Sequence, residues 1–142
     1  MERNLRKEIL QALTDKHYLP LLPVQEKVIP LILSGRSVFV QAATGSGKTA
    51  AFLIPVIEKS EEFSPVTSLI IAPTRELALQ IKEECDDLSA YTRIKSVLLI
   101  GGISEEIQLR ELRQHPRSSS ERPAGFFLFV KAVLLIFPVC AC

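Results

Sequence analysis

Cysteine is scarce in this chain. Cys85, Cys140 and Cys142 do not make a disulfide framework or a metal quartet, and they read as reduced thiols of an intracellular protein. Nucleus and cytoplasm are not distinguished by this. Surplus charge is scarce too. Seventeen Lys and Arg stand against 16 Asp and Glu, a net charge of +1. That balance excludes strong long-range attraction for nucleic acid, while a local basic groove remains compatible with it. The N-terminus, MERNLRKEILQAL, lacks an unbroken apolar core, which excludes a signal peptide. What is present is enough apolar material, 47% of 142 residues, to bury the core of one domain.

That material is patterned. Leu5, Ile9, Leu10 and Leu13 recur at helical spacing, so residues 5–15 are predicted to form an amphipathic helix with Asn4 as its cap. Residues 17–23, HYLPLLP, are loop-like. Residues 24–33 read as a helix that Pro30 should kink or split and Gly35 ends. Residues 37–41 read as a short buried strand. Residues 49–59 read as a helix with a probable kink at Pro55, residues 68–72 as a second strand, and residues 75–90 as a helix opened by Thr74. Residues 94–100 form a third expected strand, and a helix from Ser104 to about residue 114 carries Glu105 and Glu106 in its first turn. The strands are continuous apolar runs that alternate with helices. That order predicts an α/β fold with a parallel sheet buried on both faces by crossover helices.

Between the first strand and its helix stands AATGSGKT, residues 42–49. Gly45 and Gly47 have no side chain to block close approach or positive φ. Backbone N–H groups can therefore converge at the N-terminus of the following helix, where the helix dipole adds partial positive charge. Lys48 adds a full charge, and the Thr49 hydroxyl is suited to Mg²⁺. The stretch Ala42, Ala43, Thr44, Gly45, Ser46, Gly47, Lys48 and Thr49 reads as a phosphate-binding P-loop. Ala42 stands where the full pattern has glycine. A chance glycine–serine linker is the plain alternative, but linkers rarely join a buried strand to an apolar helix and end in Lys-Thr.

With Ala42 leading, A-x-T-G-S-G-K-T resembles motif I of the DEAD-box RNA helicases. Residues 73–78, PTRELA, match that family's motif Ia letter for letter, and Gly101-Gly102 resembles its GG motif. Tyr18, Pro23, Val24 and Gln25 resemble its Q motif. The resemblance covers residues 5 to about 115. It implies a P-loop NTPase, RecA-like fold and an RNA-stimulated ATPase that unwinds short duplexes, with ATP and Mg²⁺ as cofactors. RNA, and ribonucleoprotein components with it, would be its partners. It implies that Gln25 reads the N6 and N7 edge of adenine, for which one amide donor and one acceptor are suited. A solvated glutamine at a helix start is the alternative. It implies that Pro73, Thr74, Arg75, Gly101 and Gly102 meet the RNA backbone. A helix cap with a surface arginine, and a simple turn, are the alternatives for these positions.

The chain also departs from the family. Leu21 and Leu22 stand where the family usually has proline and serine or threonine, and the first phenylalanine is Phe39. No T-P-G-R, D-E-A-D or S-A-T stretch follows residue 114. No catalytic residue is assigned, because Walker B carboxylates are absent and Glu84-Cys85-Asp86-Asp87 falls within a helix on a solvated face. The expectation is a truncated, catalytically incomplete helicase with an incomplete RecA-like sheet. Residues 1–36 hold the N-terminal helix and Q-motif region, and residues 37–115 the partial ATP-binding domain. Residues 116–142 form a divergent, mostly apolar tail. That tail is too short and too interrupted, by Lys131 and Pro138, for a membrane segment of about 20 residues. Its CAC end resembles a prenylation signal of another P-loop class. The abrupt change at Pro116 favours foreign sequence from an alternative exon, retained intron or frameshift. Two other functions compete: a non-catalytic nucleotide- or RNA-binding interaction module, and a P-loop NTPase of another class such as a small-molecule kinase.

Overall fold

A computed structural model of the chain describes residues 5–60, 68–101, 106, 108, 110 and 132–138. The chain divides into two compact units, Met1–Lys59 with Asp87–Thr92 and Ser60–Asp86 with Arg93–Cys142.

The first unit is helical. Helices α1 (Lys7–Asp15), α2 (Pro23–Leu33) and α3 (Lys48–Lys59) follow in order. Helix α1 buries Ile9, Ala12 and Leu13; Ile9 and Leu13 belong to the expected stripe, while Leu10 is half-buried. Helix α2 packs against α3, whose Leu53, Ile54 and Ile57 are fully buried. Each such side chain contributes about 1.5–3 kcal/mol. Both α1 and α2 end in the same way. His17 and Gly35 take positive φ, 55° and 80°, and the amides that follow reach back to Leu13 and Leu31 carbonyls. These are Schellman closures, which satisfy carbonyls that a helix end leaves unpaired. Arg6 joins the two ends of this unit's chain. Its backbone N–H donates to Glu58 Oε2 at 3.1 Å, and its guanidinium donates to the Ile57 carbonyl at the end of α3.

The second unit holds β1 (Ser68–Ala72), most of α4 (Arg75–Leu88), β2 (Ile94–Ile100) and β3 (Ala132–Pro138). The sheet order is β1-β3-β2. In the register of the ladder, Leu135 of β3 pairs with Leu69 of β1 and with Val97 of β2. Helix α4 buries Ala78, Ile81 and Cys85, and it is tied to β2 by Ser96. The Ser96 hydroxyl donates to Asp86 Oδ1 at 2.5 Å and accepts from Lys82 Nζ at 3.3 Å. Gln108 closes the end of β2. Its Oε1 accepts from the Ile100 N–H at 2.9 Å, and its Nε2 donates to the Ile100 carbonyl at 3.1 Å.

Several expectations need correction. Residues 37–41 form no strand, and Phe39 is 94% exposed. A lone strand leaves its backbone groups without partners, and these residues pair with no strand among those described. The α/β class holds, but parallel pairing between neighbours does not. β1 and β2 run parallel to each other, and the strand between them is antiparallel to both. That strand comes from the tail, an apolar run able to take a partner on each edge. β1 is not buried on both faces either, since Leu69 and Ile71 are exposed. Pro30 and Pro55 lie inside α2 and α3 without splitting them. Arg6 is the N-cap residue of α1 and makes no side-chain capping bond to it. Asn4 lies outside the described residues. So does most of the helix expected from Ser104, of which Glu106, Gln108 and Arg110 are helical.

Because β3 pairs with both neighbours, its backbone is expected to hold the sheet together. Leu135→Pro removes an amide from the central strand. Hydrogen exchange at Leu69–Ile71 and Val97–Leu99 should then lose protection together. Protection retained at both strands would contradict the central position of β3.

Candidate functional site

The glycine loop belongs to the first unit and runs directly into α3, whose first residues are Lys48 and Thr49. The first four N–H groups of a helix have no partner within it. Gly47 caps this end: its carbonyl accepts from the Ala51 N–H at 3.1 Å. Gly45 and Gly47 have φ of 78° and 85°, the left-handed region in which a side chain is strained. Between them Ser46 makes a turn, its N–H donating to the Ala43 carbonyl at 3.3 Å. The Ser46 hydroxyl oxygen is buried and has no hydrogen-bond partner among the described residues. Lys48 folds back over its own loop, and its Nζ donates to the carbonyls of Ala42 and Ala43, each at 2.6 Å. Thr49 is half-buried and Thr44 exposed.

Gln25 comes to this loop from the start of α2. It is 2% exposed. Its Oε1 accepts from the Leu22 N–H at 2.9 Å, and its Nε2 donates to the Gly47 carbonyl at 3.3 Å. It is therefore not a solvated helix-start residue. Leu22 also reaches the loop. A Cβ at Gly47 would lie 2.7 Å from both Leu22 Cδ1 and Gln25 Nε2. Sequence reasoning noted Leu22 only as a departure from a pattern. The available signal was its place three residues before Gln25, the spacing at which a helix's first residues reach back to its cap.

In the second unit, Thr74 caps α4, its Oγ1 accepting from the Leu77 N–H at 3.2 Å. Arg75 donates from Nη2 to the Gly101 carbonyl, so the PTRELA stretch meets the first of the two glycines. Pro73, Thr74, Arg75 and Gly101 are all exposed. Gly102 lies outside the described residues. Glu84, Cys85, Asp86 and Asp87 lie within α4, with Asp86 and Asp87 exposed and Cys85 buried. Among the described residues, no group of three or more His, Cys, Asp or Glu is arranged to hold a metal ion. No helix among them is long and apolar enough to cross a membrane.

The DEAD/DEAH box helicase profile matches residues 22–132. The chain belongs to this family. The match passes Pro116, where the composition changes, and reaches the first residue of β3. The chain is 41% identical over 119 residues to a probable ATP-dependent RNA helicase, ddx27, of Dictyostelium discoideum, covering 81% of this chain and 15% of that protein. It is 42% identical over 116 residues to the DEAD-box ATP-dependent RNA helicase CshA of Geobacillus kaustophilus, covering 81% of this chain and 25% of that protein. Solved structures agree. A DEAD box protein from Methanococcus jannaschii superposes with a TM-score of 0.68 at 39% identity, over 77% of this chain and 30% of that one. The RNA helicase Prp28 from Chaetomium thermophilum, bound to ADP, gives 0.67 at 36%, over 77% and 28%. The RecA-like fold of the family is thus the fold of this α/β chain, which spans a quarter or less of the two curated relatives' length.

Burial pushes the Cys85 thiol from 9.0 up to about 12, with the neighbouring Asp86 carboxylate adding to it. The folded state then holds this proton more tightly than the unfolded state. The stability so contributed is fully present below pH 9.0 and is lost as pH rises towards 12. Wild type is expected to lose stability relative to Cys85→Val across that window, measured by urea unfolding. A difference that stays flat from pH 9.0 to 12 would contradict the buried, protonated thiol.

Proposed function

We propose that the chain is the ATP-binding part of an ATP-dependent RNA helicase and holds ATP with Mg²⁺ at residues 42–49. One observation carries this: a loop with two left-handed glycines, ending in Lys48 and Thr49, opens directly into α3. The residues fit the group. Among the described residues, the buried Ser46 hydroxyl has no partner, and the Lys48 ammonium is held by two backbone carbonyls. A polyanion offers acceptors to both groups, and to the free N–H groups of α3. Binding requires Lys48 to exchange the Ala42 and Ala43 carbonyls for phosphate oxygens. The Thr49 hydroxyl would hold Mg²⁺, which would supply neutralisation of the phosphate charge. Gln25 would orient the base, since its amide is already fixed beside the loop.

RNA would be met in the second unit. Arg75 and Thr74 lie exposed at the start of α4, with Pro73 and Gly101 also exposed; Gly102, outside the described residues, is proposed to act with them. The relatives' names support RNA as the substrate; ribonucleoprotein components are proposed as further partners. The 142-residue sequence contains no D-E-A-D stretch to supply a water-orienting carboxylate. The 142-residue polypeptide is therefore proposed to bind nucleotide without turning it over.

Calorimetric titration tests this. MgATP is expected to bind, to bind better than MgGTP, and to release no phosphate. Lys48→Ala is expected to weaken binding by about tenfold or more, the cost of losing a charge-assisted phosphate contact. Unchanged affinity in Lys48→Ala, or phosphate release that this substitution abolishes, would contradict the proposal.

A further inference from the structure

We infer that Leu22 supplies the apolar contact for one face of the nucleobase whose edge Gln25 meets. This role presupposes nucleotide binding at the loop and adds a specificity-determining residue to it. Leu22 is the N-cap residue of α2 and makes no side-chain capping bond. It is a large apolar side chain left 44% exposed beside a polar loop. Its position there is set by Gln25, because the Leu22 N–H donates to Gln25 Oε1 at 2.9 Å. Leu22 Cδ1 and Gln25 Nε2 both lie 2.7 Å from the point where a Gly47 Cβ would stand. Methyl and amide are thus side by side against the same glycine.

The Gln25 amide has capacity beyond these internal bonds. Its nitrogen carries two N–H groups and its oxygen two lone pairs. One N–H meets the Gly47 carbonyl, and one lone pair meets the Leu22 N–H. A planar ligand that reached the remaining donor and acceptor of this nearly buried amide would lie beside the Leu22 methyl, which stands against the same glycine. The face of an aromatic ring is apolar and gains from a methyl against it, whereas a hydroxyl in its place would lose solvation. Leu22 therefore suits a base-bearing ligand and does nothing for a bare polyphosphate.

That difference provides the test. Wild type, Leu22→Ser and Leu22→Met are titrated with MgATP and with magnesium tripolyphosphate. Leu22→Ser is expected to weaken MgATP binding by about five- to tenfold, the effect of one lost apolar contact. Tripolyphosphate affinity should not change, and Leu22→Met should retain ATP affinity. In wild-type chain saturated with MgATP, NOEs should connect a Leu22 methyl with adenine H2 or H8. Equal losses for both ligands, no loss for ATP, or adenine NOEs to Phe39 without any to Leu22 would each overturn the inference. A wild-type chain that binds neither ligand overturns nucleotide binding itself, which separates the two failures. Where Leu22→Ser does not fold, the wild-type NOE decides.

Discussion

The Lys48 ammonium, held at 2.6 Å by the carbonyls of Ala42 and Ala43, governs the form of the loop. Lys48 is the first residue of α3, at the positive end of that helix dipole, where a cation is electrostatically disfavoured. Two charge-assisted hydrogen bonds, about 1.5–3 kcal/mol each, offset this. To make them the chain must turn both carbonyls back towards its own helix start. Gly45 and Gly47 provide the reversal by taking positive φ. A lysine at this place is a poor choice for helix stability alone. It becomes favourable when an anion shares the site, which is why its position says more about function than its charge does.

Gly47 links this loop to the start of α2. Its missing side chain leaves the space into which Gln25 and Leu22 fit, and its carbonyl accepts from Gln25. Gln25 is nearly wholly buried, so its amide needs partners. The Leu22 N–H and the Gly47 carbonyl provide them. The helix start and the phosphate-type loop are therefore one hydrogen-bonded structure. In the second unit Arg75 plays a comparable joining role, bringing the start of α4 to the glycine after β2.

Much of this was legible in the residues. Ser68–Ala72 and Ile94–Ile100 are short apolar runs bounded by turn signals, and both are strands with the expected limits. Apolar spacing located Ile9 and Leu13 in the core face of α1, and α4 was legible as a helix opened by Thr74. Residues 37–41 have the same apolar character as the two strands, yet form none. A strand exists only with a neighbour, and a sequence run does not carry its partner's identity. For the same reason the tail, which does not continue the strand–helix pattern, gives no sign of its place, although residues 132–138 form the central strand of the sheet. Burial depends on who pairs with whom, so Leu69 and Ile71 looked like core residues and are exposed. At the site, glycine and lysine spacing located the loop, because those residues carry their geometry with them. The contact of Leu22 with Gly47 was not legible, since it depends on where α2 begins in space.

The account is tested most directly at the amides of the loop. In ¹H–¹⁵N spectra of the 142-residue chain, titration with MgATP is expected to shift the signals of Gly45, Ser46, Gly47, Lys48 and Thr49 progressively and to saturation. Signals at these five positions that stay in place through the titration, in folded protein, would contradict it.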